Sequence, residues 1–155
     1  MHVEPVITIE ESLTDELAQV LQAHWLFCTS TSPIEFVFAL DASKLFTPDI
    51  TVFSARVSGV LVSVGAIRKL HADHAELKSM HTLAKFRGNG ISKAIVAHIE
   101  VFAKAQGFKR ISLETGTTEA FAPARGLYKT LGYKECEAFS DYSPNEYSTF
   151  MTKLI

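Results

Sequence analysis

The chain has 155 residues, 47% of them hydrophobic and 21% charged, with a formal net charge of -2. That length and apolar content suit one globular domain that buries its own core, and exclude a disordered tail. The near-neutral balance gives no overall pull toward nucleic acid or an anionic membrane, so a polyanionic ligand must be met by a local site.

The β-branched run Val6-Ile7-Thr8-Ile9 predicts a first strand. Ser12 can cap a helix, and Leu13, Leu17, Val20, Leu21 and His24 recur at helical spacing, predicting that helix over 13–25. Pro33 and Pro48 punctuate the next stretch, where residues 42–46 can form a short helix. Phe36, Val37 and Phe38 are too apolar for a plain surface loop, and Trp25, Phe36 and Phe38 are candidates to cover a pocket or join the core. A hairpin comes next, with strands over 51–57 and 60–70 joined by Ser58-Gly59, and residues 75–83 return as a third strand.

The period then changes. After Arg87-Gly88-Asn89-Gly90, the residues Ile91, Ile95, Ile99 and Phe102 form one apolar stripe, predicting a helix that Gly107 ends. Arg110-Ile111-Ser112-Leu113-Glu114 is the next strand, so strands 75–83 and 110–115 should be parallel with a right-handed crossover. A second helix covers 122–131, with Pro123 in its first turn and Gly132 after it. Residues 133–139 and 148–154 can close the sheet as an antiparallel pair. The expectation is an α/β (α+β) domain spanning 1–155, with a mixed, mostly antiparallel sheet of six to seven strands, a central parallel βαβ unit and helices on both faces.

Cys28 and Cys136 match neither a zinc spacing nor a CxxC pattern, and read as free thiols of a reducing compartment. The N-terminus lacks the basic and apolar regions of a signal peptide, and no apolar run approaches the roughly 20 residues needed to span a bilayer. The expected location is therefore cytoplasmic.

Arg87-Gly88-Asn89-Gly90-Ile91-Ser92-Lys93 links a strand to a helix. Amides at a helix start have no intrahelical partners, and the helix dipole adds positive potential there. A phosphate satisfies both if the backbone can approach, which Gly88 and Gly90 permit by lacking Cβ atoms. Ser92 keeps the first turn slim and adds a hydroxyl, while Arg87 and Lys93 add charge. The competing reading is an ordinary glycine-rich turn. GxxxxGK[ST] is absent, and GxGxxG fails because Lys93 occupies the third glycine position, which makes a dinucleotide-binding oxidoreductase the weaker alternative.

Residues 87–92 resemble the [Q/R]xxGx[G/A] motif of the GNAT superfamily, the acetyl-CoA-dependent N-acetyltransferases. The run Ala124-Arg125-Gly126-Leu127-Tyr128-Lys129-Thr130-Leu131-Gly132-Tyr133 is similar to that family's A-x-x-L-Y-x-x-x-G-[F/Y] helix. The resemblance covers about residues 50–139. It implies acetyl-CoA as co-substrate, its pantetheine arm lying between splayed strands against Met80, His81 and Thr82. Its pyrophosphate would be held by Arg87, Gly88, Asn89, Gly90, Ile91, Ser92 and Lys93. The expected acceptor is a primary amine of a small molecule or an amino-acid-like molecule, with a protein amine as a second option, and a homodimer stays open because many members form one. An acyl-CoA-binding module without turnover is the other alternative. The sequence departs from the family at Ser92, where glycine or alanine is usual, and at Phe121, where many members carry asparagine.

Acetyl transfer to an amine has a protonation problem. With a pKa near 10.4, only about one lysine-like ammonium in 2,500 is neutral at pH 7, a deficit of roughly 4.6 kcal/mol. A positioned base helps by about 10²–10⁴-fold, and the leaving thiolate needs an acid. By resemblance Tyr128 is the acid, although its helix face suits a core aromatic equally. Glu76 and Glu114, on the two central strands, are the candidate bases; otherwise they are solvated or ion-paired carboxylates. His71, His74 and His81 match no zinc spacing, so no metal is expected; His81 could instead line the acceptor pocket.

Overall fold

The computed structural model describes residues 4–155. Strand β1 (Val6–Glu10) leads to helix α1 (Asp15–Thr31). Thr14, not Ser12, caps this helix, its side chain accepting from the Leu17 amide, and the helix runs well past residue 25. The reason lies in its last turns. His24, Phe27 and Cys28 extend the stripe begun by Leu17, Val20 and Leu21, and the hydroxyls of Thr29, Ser30 and Thr31 donate back to helix carbonyls. It ends at Ser32, forced into an extended conformation before Pro33.

Strands β2 (Ile50–Val57) and β3 (Val60–Lys69) form the predicted hairpin, turned by Ser58 and Gly59 at φ 50° and 81°. Strand β4 (His74–Thr82), helix α2 (Ile91–Ala105) and strand β5 (Arg110–Gly116) make the parallel unit, followed by helix α3 (Ala122–Thr130) and strands β6 (Lys134–Glu135) and β7 (Ser148–Leu154). Residues 42–45 form a short 3-10 helix. The sheet order is β1-β2-β3-β4-β5-β7-β6, with β4–β5 parallel and the other pairs antiparallel. This is the mixed sheet expected. The strand expected over 133–139 shrinks to two residues, however, and the chain leaves the sheet. Phe139 and Tyr142 gain more by packing on Phe150, at ring separations of 5.9 and 5.6 Å, than by continuing an edge strand.

Neighbouring β2 residues point to different cores. Val52 packs with Leu17, Val20, Leu21 and Leu45, whereas Phe53 packs with Ile91, Ile95 and Ile99, so α1 and α2 cover opposite faces of the sheet. Each of those isoleucines, almost wholly buried, contributes about 1.5–3 kcal/mol. No helix among the described residues is long and apolar enough to cross a membrane.

One feature of the sheet positions the site. Strands β4 and β5 pair only from His74↔Arg110 to Leu77↔Leu113. Beyond that point β4 keeps β3 and β5 keeps β7, and the two strands part from each other. The cause is a bulge. Ala66 faces Lys78 and Val64 faces His81, so Ser79 and Met80 together oppose Gly65, with Ser79 at φ 56°. A bulge bends its strand. Gly65 is required here, because a Cβ would stand 2.5 Å from the Met80 sulfur.

Candidate active site

Helix α2 starts at Gly90, with φ 77°, after Gly88 at φ 80°. A Cβ at either position would meet nothing within 4 Å, so these glycines serve a left-handed backbone and border open space. The amides of Gly90, Ile91, Ser92 and Lys93 have no acceptor among the described residues, and form a cradle of free donors at the positive end of a helix of 15 residues. The Asn89 side chain fastens the loop by donating to the Phe86 and Arg87 carbonyls, at 3.1 and 3.3 Å. Arg87 donates Nε to the Thr82 carbonyl at 3.0 Å and lies over the Phe27 ring. The Ser92 hydroxyl is engaged with Thr82 Oγ1 at 2.6 Å, and Thr82 with Ser63 at 2.7 Å, which ties the helix start to β4.

A cavity of about 400 Å³ lies along the gap between β4 and β5. Every site residue predicted from the sequence lines it except Asn89. Phe36 and Phe38 line it as well; Trp25 does not.

Its floor is charged and dry. Glu76 is 1% exposed; Arg68 Nη2 lies 2.9 Å from Oε1, Lys78 Nζ lies 3.3 Å from Oε2, and the Tyr142 hydroxyl donates to Oε2. Glu114 differs: burial pushes its pKa up to about 7, against the pull of Ser148 and Lys78. Tyr128 is buried among core residues, yet its hydroxyl has no hydrogen-bond partner among the described residues. Burial, then the nearby Glu114, raises its pKa, so this phenol keeps its proton until something takes it.

Sequence reasoning assigned His24 and Cys28 no place in the site, yet both line the cavity. His24 Nδ1 meets His81 Nδ1 at 3.3 Å. Burial drives both rings neutral, down to about 3 for His24 and about 4 for His81, with Arg87 assisting at His81. Cys28 lies 3.8 Å from the His24 ring, but burial, with Glu114 adding to it, pushes its thiol up to about 12. Stacked and edge-on aromatic pairs, Phe36 with Tyr147 and Phe38 with Tyr142, each at 5.1 Å, cover the cavity. Phe121 lies over Gly116, where a Cβ would collide with its ring, and against Phe27 at 5.1 Å. Lys78 was legible, two residues from Glu76 on one strand face. His71 and His74 have ring centres 6.5 Å apart, and His81 pairs elsewhere. Among the described residues no three His, Cys, Asp or Glu side chains could together hold a metal ion.

Comparison with known proteins places this geometry. Residues 17–133 match the model of the acetyltransferase (GNAT) family. An uncharacterized N-acetyltransferase of Bacillus subtilis, YsnE, is 38% identical over 96% of this chain and 99% of its own. Another from Escherichia coli, YedL, is 35% identical over 92% of this chain and 90% of its own. The fold is shared with a GNAT family acetyltransferase of Elizabethkingia anophelis solved with acetyl-CoA bound (TM-score 0.73, 13% identity, covering 97% and 98% of the two chains).

Proposed function

The chain belongs to the acetyltransferase (GNAT) family, and from that premise we propose that it acetylates a primary amine of a small, amino-acid-like molecule by direct attack. It is an acyltransferase whose co-substrate is acetyl-CoA; the oxidoreductase and non-catalytic alternatives fall with the family assignment. The observation that carries the proposal is the parting of β4 and β5 after Leu77 and Leu113, with free helix-start amides at one end of the cavity and Glu114 and Tyr128 beside the gap.

The residues present fit acetyl-CoA. The free amides from Gly90 to Lys93, with space over Gly88 and Gly90, suit the pyrophosphate, and the edge of residues 78–82 left unpaired by β5 suits the pantetheine amides. Asn89 secures the shape of this loop, and Arg87 secures Thr82. Acetyl-CoA brings an activated thioester carbonyl. Glu114 takes a proton from the acceptor nitrogen as the new amide bond forms and the C–S bond breaks. Tyr128 gives a proton to the departing sulfur and regains one through solvent. Glu76 holds Arg68 and Lys78 in place and leaves the base role to Glu114. Direct attack, without an acyl-enzyme, agrees with the high pKa of Cys28, the cavity's thiol.

The test is thiol release from acetyl-CoA across a panel of amines and alcohols. Release with amines supports the proposal; release with alcohols alone, or with neither, overturns it. Tyr128→Phe is expected to lower kcat about 10²-fold with the KM for acetyl-CoA little changed, as for loss of a general acid. An unchanged kcat would return Tyr128 to a packing role.

A further inference from the structure

We infer that the acceptor is an α-amino carboxylate whose carboxylate is held by Lys78 while its amine faces Glu114; this rests on the amine-acetylation reading above and names its substrate class.

The cavity floor leaves one donor of a buried cation unused among the described residues. Glu76 is a single carboxylate with two cations on it, Arg68 at 2.9 Å and Lys78 at 3.3 Å. The Lys78 residue is 8% exposed, and an uncompensated charge at such a site is costly. An ammonium has three donors. Two of those on Lys78 go to Glu76 Oε2 and, at 2.9 Å, to the Tyr142 hydroxyl oxygen. The third has no partner among the described residues, and Lys78 lines the cavity. Tyr142 cannot serve a ligand instead, because its hydroxyl hydrogen is committed to Glu76.

Register adds the geometry. Leu77↔Leu113 is the last pair between β4 and β5, so Lys78 and Glu114 are the next residues on each strand, abreast where the gap opens. Both point away from the α2 side that Leu77 and Leu113 occupy. A free cation and a free base side by side suit a ligand whose carboxylate and amine are one carbon apart. A plain alkylammonium would bring positive charge only and offer the third Lys78 donor nothing to meet. A zwitterion brings one charge of each sign. Burial lowers the Lys78 pKa, with Glu76 opposing, as befits an ammonium short of solvation. The aromatic pairs Phe36–Tyr147 and Phe38–Tyr142 leave the remaining wall apolar.

The experiment pairs each of a panel of L-amino acids with the amine lacking its carboxylate, for example L-phenylalanine with 2-phenylethylamine, and measures thiol release from acetyl-CoA. The best amino acid should exceed its matched amine in kcat/KM by roughly 30-fold or more, the usual scale for a desolvated charge pair. Lys78→Met should bring the ratio of kcat/KM for the amino acid to that for its matched amine down toward one, whatever it does to the two rates separately, and Lys78→Arg should restore part of that ratio. Acetyl-CoA affinity of each variant monitors the fold. Equal use of both members of every pair, or Lys78→Met slowing both alike, overturns this inference while amine acetylation stands. No release with any amine overturns both.

Discussion

At the scale of single residues, environment separates two carboxylates that the sequence presents as equals. Glu76 is clamped by Arg68, Lys78 and Tyr142; Glu114 is left with burial as its main influence. Because the Glu114 pKa is pushed up to about 7, a base at this position works only once it has lost its proton, so kcat/KM should rise through pH 7. Glu114→Gln is expected to remove that break, leave only the slope from the amine's own ionisation, and lower kcat/KM by about 10²–10⁴-fold. The same pKa has a cost in stability. From an ordinary value of 4.5 up to about 7, the unfolded chain is ionised while the folded one holds its proton, so stability falls as pH rises through that window. The loss is about 3 kcal/mol at most. The buried neutral His24 and His81 act in the opposite sense over part of this range, so the Glu114 contribution is read as a difference: between pH 4.5 and 7 the melting temperature of Glu114→Gln should gain on that of the parent as pH rises, and a constant offset would refute it.

At the scale of elements, the start of α2 and the bulge of β4 do different work. The helix start supplies donors that nothing among the described residues uses, and its glycines hold a left-handed turn with no described side chain within 4 Å of where a Cβ would stand. Gly90→Arg places a side chain in that space. The backbone strain is about 1–2 kcal/mol, so the fold should survive. Ligand binding should not. Acetyl-CoA at 100 times its Kd adds about 2.7 kcal/mol, which for a chain of this size raises Tm by roughly 5–10 °C. The parent protein should show that rise and Gly90→Arg none; an equal rise in both would detach the anion from this loop. These glycines were legible in the sequence because a strand, two glycines and an amphipathic helix succeed one another directly. The bulge was not legible, since the small residue that permits it, Gly65, belongs to the neighbouring strand.

At the scale of the whole molecule, distant parts of the chain converge on the cavity. Phe36 and Phe38, following α1, meet Tyr147 and Tyr142, preceding β7, because β7 inserts between β5 and β6 and carries the preceding loop over the gap. Tyr142 joins this cover to Glu76 and Lys78, where the acceptor is proposed to bind. Phe36→Ala should therefore raise the KM for the acceptor about 3- to 10-fold, the scale of one lost aromatic pair, and leave the KM for acetyl-CoA unchanged. A change confined to acetyl-CoA would move the cover to the other end of the cavity.

The sequence by itself determined what depends on near neighbours in the chain. Two strand-forming runs about Ser58-Gly59 marked the hairpin, helical spacing marked α2, and closely spaced glycines marked its start, because strand preference, helix pitch and turn conformation are all set within a few residues. Tertiary structure alone decided the rest. Residues 133–139 abandoned most of a strand once Phe139 and Tyr142 found Phe150. His24 became a cavity residue by meeting His81, Glu76 gained Arg68 and Tyr142 as partners, and burial raised the proton affinity of Glu114. Burial and pairing arise only when the sheet brings separated segments together, and they govern where charge and protons reside.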